Sequence, residues 1–339
     1  MRLRVIFVAC LAMALCISPL WAQQPQQPTP PAPPANDQAP ALRQNVNLVN
    51  VLFSVFDKRD KLVTDLTKDN FSVFDDNVRQ QISFFSRQTD LPLRVGLLLD
   101  TSNSIRQRLE FEQQAAVDFL SSVLRRDKDQ AFLMTVDDDP ELIQPLTSDV
   151  DRLRDVIMKQ RAGGGTSLYD AIYKGCQQLS RAAAPVGLAG PEVRRVLVVI
   201  SDGDDNLSTH SRGDALEMAQ RTGIVIYTIS TSINWVLTDQ ETNQFNRANR
   251  KYEKDEGDRV LEQFSNESGG RAFFPYRADD LAISFRDIGE ELRSQYSLGY
   301  APAGRAADGR FHTIRLAVGV KGLQVHARKG YYATATASE

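Results

Sequence analysis

The chain has 339 residues, 42% of them hydrophobic and 24% charged, with a net charge of −3. That balance belongs to an ordinary globular protein and excludes a collagen, a wholly disordered chain and a polytopic membrane protein. The small negative charge argues against nucleic acid as a partner, and the length allows about two domains.

The first residues, MRLRVIFVACLAMALCISPLWAQ, are basic at Arg2 and Arg4, apolar from Val5 to Ile17, and broken at Ser18-Pro19. They read as a secretory signal over residues 1–22, cleaved near Ala22 and too short to span a bilayer. The alternative is an uncleaved anchor. A lipoprotein fits less well, since Cys10 lies early and Cys16 follows Leu15. Cleavage makes the protein secreted or periplasmic, with no membrane span in the mature chain. It removes two arginines and no acid, which takes the net charge from −3 to −5. It also removes Cys10 and Cys16, so Cys176 remains alone and no intrachain disulfide forms. Cys176 lies on an apolar stripe with Leu168, Ile172 and Leu179, the pattern of a core thiol.

Residues 23–42 form a Pro/Gln linker, with seven of the 15 prolines between Gln23 and Ala41. Such a segment buries too little apolar surface to offset its ordering entropy. Residues 43–90 are β-rich. NVNLVNVLFSVFD alternates as a strand does, and LTKDNFSVFDDNVRQQISFFSRQ reads as strands joined by an Asp-Asp-Asn turn.

Residues 91–293 change to strands alternating with helices. RVGLLLD is an apolar run ending in an acid, as a fully buried parallel strand does. An amphipathic segment follows from Arg106 to Leu124, then QAFLMTV and ELIQPLT as strands and Asp149 to Lys159 as a helix. RAGGGTS leads into a helix from Leu168 to Arg181. RRVLVVISDG is a strand, Gly213 to Arg221 a helix, IVIYTIS a strand, RVLEQFSNESGG a helix, RAFFPY a strand and DDLAISFRDIGEELRSQ a helix. The alternation predicts an α/β fold: an open, Rossmann-like, mostly parallel sheet with helices on both faces. Residues 294–335 return to β as three strands, YSLGYAP, FHTIRLAV and LQVHARKGYY. Neither flank makes a stable sheet alone. The two are therefore expected to pair as one β-sandwich with the α/β domain inserted in it. Tyr296, Tyr300, Tyr331 and Tyr332 are expected to fill its core.

Three loops of the central block carry oxygen donors: Asp100-Thr101-Ser102-Asn103-Ser104, Gly163-Gly164-Gly165-Thr166-Ser167, and Ser201-Asp202-Gly203-Asp204-Asp205. Ligands of open parallel sheets bind beyond the carboxyl ends of the strands, where Asp100 and Asp202 project. An all-oxygen set suits Mg²⁺, Mn²⁺ or Ca²⁺ rather than Zn²⁺. His210, His312 and His326 lie outside these loops. The triple glycine lets the backbone approach an ion and turn Thr166 inward. Asp204 and Asp205 read as solvated acids, tuning of the site being the alternative, and the Asp137-Asp138-Asp139 run as a solvated loop, a second cation site there being the alternative; for Asp100 and Asp202 the alternative is capping of helices or turns. The polar stretch Ile233 to Gly257 is long for a connection, and its Trp235 is a candidate partner contact.

LLLDTSNS, GGGTS and ISDG together resemble the metal-ion-dependent adhesion site of von Willebrand factor type A (VWA) domains. Its pattern maps onto Asp100, Ser102, Ser104, Thr166 and Asp202 without departure, and the resemblance covers about residues 93–290. VTDLTKDNFSVFDDN also resembles the secreted VWFA-related family of acidobacterial genomes. The VWA resemblance implies binding rather than turnover. The serines and Thr166 hold the ion directly or nearly so, the aspartates often through water, and a partner protein's Asp or Glu carboxylate completes the sphere. The expected role is a secreted adhesion or protein-interaction module. The alternatives are a structural envelope subunit whose metal only holds the loops, or a metal-dependent phosphohydrolase. Enzymatic readings lack support: Ser102 has no nucleophile elbow and no nearby histidine base, and Ser102 stands where a haloacid-dehalogenase-like phosphatase needs its second acid.

Overall fold

The computed structural model describes residues 48–88, 91–181, 193–232, 254–275, 278–302 and 308–333. The expected signal, the expected Pro/Gln linker and Trp235 lie outside the described residues. The N-terminal flank supplies β1 (Val49–Phe56), β2 (Phe71–Asp75), β3 (Val78–Gln80) and β4 (Ile82–Gln88). The central block runs β5 (Leu93–Asp100), α1 (Leu109–Val123), β6 (Gln130–Val136), β7 (Leu142–Thr147), α2 (Val150–Ile157), α3 (Leu168–Arg181) and β8 (Arg194–Ser201). It continues with α4 (Arg212–Thr222), β9 (Val225–Ser230), α5 (Glu256–Ser268), β10 (Ala272–Phe273) and α6 (Ala278–Leu292). The C-terminal flank adds β11 (Gln295–Tyr300), β12 (Phe311–Val318), β13 (Gln324–Ala327) and β14 (Gly330–Tyr332).

The unbroken apolar runs of β5, β6, β8 and β9 are explained by cover on both faces. They form the middle of a sheet ordered β10-β9-β8-β5-β6-β7, parallel except for β7. On one face Leu97, Leu99, Val198 and Ile200 pack against Phe119 and Leu120 of α1 and Phe285 and Ile288 of α6. On the other, Leu98, Leu197 and Val199 pack against Ile172 and Cys176 of α3, Ala215 of α4 and Phe264 of α5. Cys176 is a free, buried thiol, and burial pushes its pKa far up, so it is chemically inert. At the sheet edge, RAFFPY pairs only through Ala272 and Phe273, two residues against β9.

The chain leaves β5 into α1 on one face and leaves β8 towards α4 on the other. These neighbouring strands therefore part at their carboxyl ends and open a crevice, the topological switch point of the sheet.

The flanks pair with each other. β11 lies between β1 and β4 in a sheet ordered β13-β1-β11-β4, and β12 joins β2 in a sheet ordered β14-β12-β2-β3. The aromatic cluster of Phe53, Phe71, Phe85 and Tyr296 fills the space between them, Phe53 and Phe71 meeting edge-on at 5.0 Å. Gln88 and Gln295 stand opposite in the β4–β11 register. The α/β block thus leaves and re-enters the sandwich at adjacent strands, as an inserted domain with close termini does.

Two expectations need correction. LQVHARKGYY is not one strand: β13 pairs with β1 and β14 with β12, in different sheets. The chain crosses between sheets at Arg328-Lys329, where the Lys329 N–H donates to the Glu267 carbonyl of α5 at 3.1 Å and so leaves the ladder. Tyr296, Tyr300 and Tyr331 are buried, but Tyr332 is only half-buried. The Arg221 guanidinium of α4 covers its ring at 3.9 Å.

Candidate metal site

Asp100 closes β5 and is wholly buried. Its Oδ1 accepts from the Ser102 N–H at 2.8 Å, and its Oδ2 accepts from the Ser201 hydroxyl at 2.6 Å. Burial, against those hydrogen bonds and with Asp202 nearby, pushes its pKa up to about 6. A 3-10 turn at Asn103–Ile105 then bends the chain so that the Ser102 and Ser104 hydroxyls lie 2.9 Å apart. The Ser104 hydroxyl donates to Asp202 Oδ2 at 2.7 Å, across 98 residues of sequence. Asp202 sits one residue past β8. Gly203, at φ +86°, and Gly257 let this loop meet the first turn of α5, because a Cβ on either would collide with the other strand of backbone.

Thr166 is buried and stitched to the Asp202 loop. Its N–H donates to Asn206 Oδ1 at 3.0 Å, and its carbonyl accepts from the Asn206 and Leu207 N–H groups at 2.9 and 3.1 Å. The glycines before it are tied to the first loop: Gly163 N–H donates to the Thr101 carbonyl at 2.8 Å, and Asn103 N–H donates to the Gly164 carbonyl at 3.2 Å. Gly164, at φ +78°, makes the turn that brings these bonds together. All three loops thus meet in the crevice. Asp100, Ser102, Ser104 and Asp202 lie in one local network, and Thr166 is placed on the loop that carries Asp202.

The surrounding acids have other work. Asp205 accepts from the Tyr169 N–H at the start of α3 and from Ser208, as a helix cap does. Asp138 accepts from the Gly165 N–H, and Asp139 pairs with Lys174 at 2.5 Å. Asp204 is exposed, with its pKa raised by partial burial, Asp202 and Asp255. The sequence places Ser201 in the third donor loop without giving it a role, and singles out neither Asn206 nor Glu112. Ser201 stands inside the ISDG motif and was legible there. Asn206 becomes meaningful only once the loops are seen together.

The donor chemistry fits a hard divalent cation. Oxygens 2.7–2.9 Å apart match adjacent corners of an octahedron with Mg–O bonds of about 2.1 Å. Among the described residues, a second group of Asp75, Asp76 and His312 also places donor atoms within 4.8 Å of one another and is able to hold a metal ion. Asp75 Oδ2 there accepts from the Tyr300 and Tyr331 hydroxyls at 3.0 and 2.9 Å. His312 has Nδ1 at 3.0 Å from Asp76 and Nε2 at 3.1 Å from Asp308. Although burial opposes it, these carboxylates raise the His312 pKa.

Residues 95–204, which contain all five predicted site positions, match the family model of the von Willebrand factor type A domain. The chain thus carries a region, residues 95–204, that matches the von Willebrand factor type A domain. Among solved structures it is similar to von Willebrand factor type A from Catenulispora acidiphila, at 10% identity and a TM-score of 0.47, over 85% of this chain and 74% of that one. The vWF domain of the type V pili tip protein Mfa5 from Porphyromonas gingivalis is similar at 14% identity and 0.43, over 60% of this chain and 95% of that one. The conserved hypothetical protein BatB from Bacteroides thetaiotaomicron is similar at 17% identity and 0.43, over 60% and 100% respectively. No curated protein matches the sequence. Among the described residues, no helix is long and apolar enough to cross a membrane.

Proposed function

We propose that this protein is a secreted, divalent-cation-dependent protein-binding module. Asp100, Ser102, Ser104, Thr166 and Asp202 hold Mg²⁺, or Mn²⁺ or Ca²⁺, and an Asp or Glu carboxylate of a partner protein completes the coordination. The observation that carries this reading is the line from Ser102 Oγ to Ser104 Oγ to Asp202 Oδ2, at 2.9 and 2.7 Å, at the mouth of the switch-point crevice. Hydroxyls are neutral donors. A site built largely from them supplies an electrophilic cation that still accepts an outside carboxylate.

The protein's own contribution is preorganisation. Ser201 and the Ser102 N–H hold both oxygens of Asp100, so its carboxylate cannot rotate. Asn206 fixes Thr166 relative to Asp202. The exposed Leu207 stands beside Gly165 and gives a partner an apolar contact next to the ion. Secretion follows from the N-terminal signal and makes an extracellular or periplasmic partner the expected one. Affinity capture of carboxylate-bearing partners, with Mg²⁺ and with EDTA, tests the reading. Cation-dependent capture that Ser104→Ala abolishes supports it; equal capture in EDTA overturns it.

A further inference from the structure

The apolar stripe of α1 contains an acid. Leu109, Ala116, Phe119, Leu120 and Val123 face the sheet, and Glu112 lies on the same stripe at 0% exposure. Neither of its carboxylate oxygens has a hydrogen-bond partner among the described residues. Buried carboxylates are normally paired and hydrogen-bonded, because an isolated one in the core is costly. Three charged groups face Glu112: Asp100 from the end of β5, Asp202 from the loop after β8, and Arg108 from its own helix start. Arg108 is itself buried, with Nη1 lacking a partner and Nη2 reaching the Ser104 carbonyl only at 3.5 Å. Three carboxyl groups therefore share one guanidinium in the volume below the crevice. Burial, then Asp100 and Asp202, push Glu112 up to about 8 against the pull of Arg108.

We infer that Glu112 is the buried electrostatic partner of the cation site: a positioning residue that makes no hydrogen bond to the site residues but sets, through the local field, how tightly they hold a divalent cation. The inference rests on the proposed function. Its logic is electrostatic. A carboxyl group left without a partner in the core is unfavourable while the site above it lacks positive charge. A divalent cation held by the Asp100 and Asp202 loops offsets that cost, and in a water-poor interior the interaction is little screened by salt. The same residue therefore costs stability without the cation and adds affinity with it. A residue that served only to anchor Arg108 has the opposite signature: its loss lowers stability and leaves cation affinity unchanged.

The test uses the full chain. Mg²⁺ and Mn²⁺ are titrated by calorimetry, and thermal melts are recorded in EDTA, for wild type, Glu112→Gln and Glu112→Leu. Glu112→Gln keeps the shape, and Glu112→Leu keeps the volume without polar atoms. The expected result is a Kd for Mg²⁺ raised about tenfold in both variants, with melts in EDTA equal to or above wild type. A Kd within twofold of wild type in both variants overturns the inference while leaving the cation site standing. Failure of both variants to fold in EDTA also overturns it, since Glu112 is then a structural partner. A wild-type protein that binds neither cation overturns the proposed function, and the inference with it.

Discussion

Among the described residues, carboxylates gather in the crevice of the parallel sheet and at the end of the β-sandwich, and these two groups are balanced differently. In the sandwich, Asp75 takes two tyrosine hydroxyls and lies beside His312, an imidazole held between Asp76 and Asp308. The cluster includes its own basic group, whose pKa the neighbouring carboxylates raise against burial. In the crevice, Asp100 and Asp202 are bonded to serine hydroxyls and backbone N–H groups, and Glu112 has only Arg108 opposite. Hydroxyls satisfy lone pairs without cancelling charge. The sandwich acids are thus matched with a base and two phenols, whereas the crevice acids have hydroxyls, N–H groups and one guanidinium, the imbalance on which the proposed cation site rests.

The largest expected effect breaks that comparison on the sandwich side. Asp75→Ala orphans the Tyr300 and Tyr331 hydroxyls in the core and removes a partner of His312. It should lower stability by about 3 kcal/mol in a denaturant titration. The melting shift caused by Mg²⁺ should stay at its wild-type size. A lost Mg²⁺ response in Asp75→Ala would move the cation site to the sandwich.

Next comes the reciprocal change. Asp100→Ala should abolish the Mg²⁺-dependent rise in melting temperature. In the wild type this rise corresponds to about 2.7 kcal/mol when the cation is at a hundred times its Kd. Because Asp100 is buried and bonded to Ser201, Ser104→Ala serves as the milder second variant. An unchanged Mg²⁺ shift in both would end the site assignment.

A third prediction concerns a carboxylate in the α/β block that is fully compensated. Despite burial, Arg125, the Leu93 N–H and Arg293 hold the Asp129 pKa at about 2. A group depressed on folding contributes stability above its unfolded pKa, near 3.9, and loses it as the pH falls towards 2. Asp129→Asn should therefore cost about 2 kcal/mol at pH 7 and almost nothing at pH 2. The pH dependence of chemical denaturation measures this, and a constant difference across that window would refute it.

The contrast also explains what was legible in the sequence. RVGLLLD and RRVLVVIS read as buried strands, because each holds an unbroken run of five apolar residues, Val95–Leu99 and Val196–Ile200, too short for a buried helix. The five candidate site residues stood out in the sequence because each sits next to such a strand or in a glycine-marked loop. Glu112 carried a signal as well, an acid at i+3 from Leu109 on an apolar stripe, but one acid in LEFEQQ reads as a solvated face until the stripe is traced. The split of LQVHARKGYY was hidden. Alternation continues through Arg328 and Lys329, and only the Glu267 carbonyl of a distant helix shows that the chain changes sheets there. The sandwich cluster was hidden too, since Asp75 and His312 are brought together by long-range pairing of β2 with β12.

The smallest expected effect tests whether the two regions communicate. Arg221 of α4 covers the ring of Tyr332 in β14 at 3.9 Å and also pairs with Glu217 at 2.6 Å. Both partners of that ion pair are more than a third exposed, so the pair itself adds little. The cation–π contact at a half-exposed site is worth about 0.5–1 kcal/mol. Arg221→Ala should therefore lower stability by no more than about 1 kcal/mol. Its Kd for Mg²⁺, read by calorimetry, should equal that of the wild type, because the Asp202 loop is held by Asn206 and by the first turn of α5 rather than by the last turn of α4. A changed Kd would mean that the seam between helix and sandwich transmits to the crevice, and the two regions would then be one coupled device.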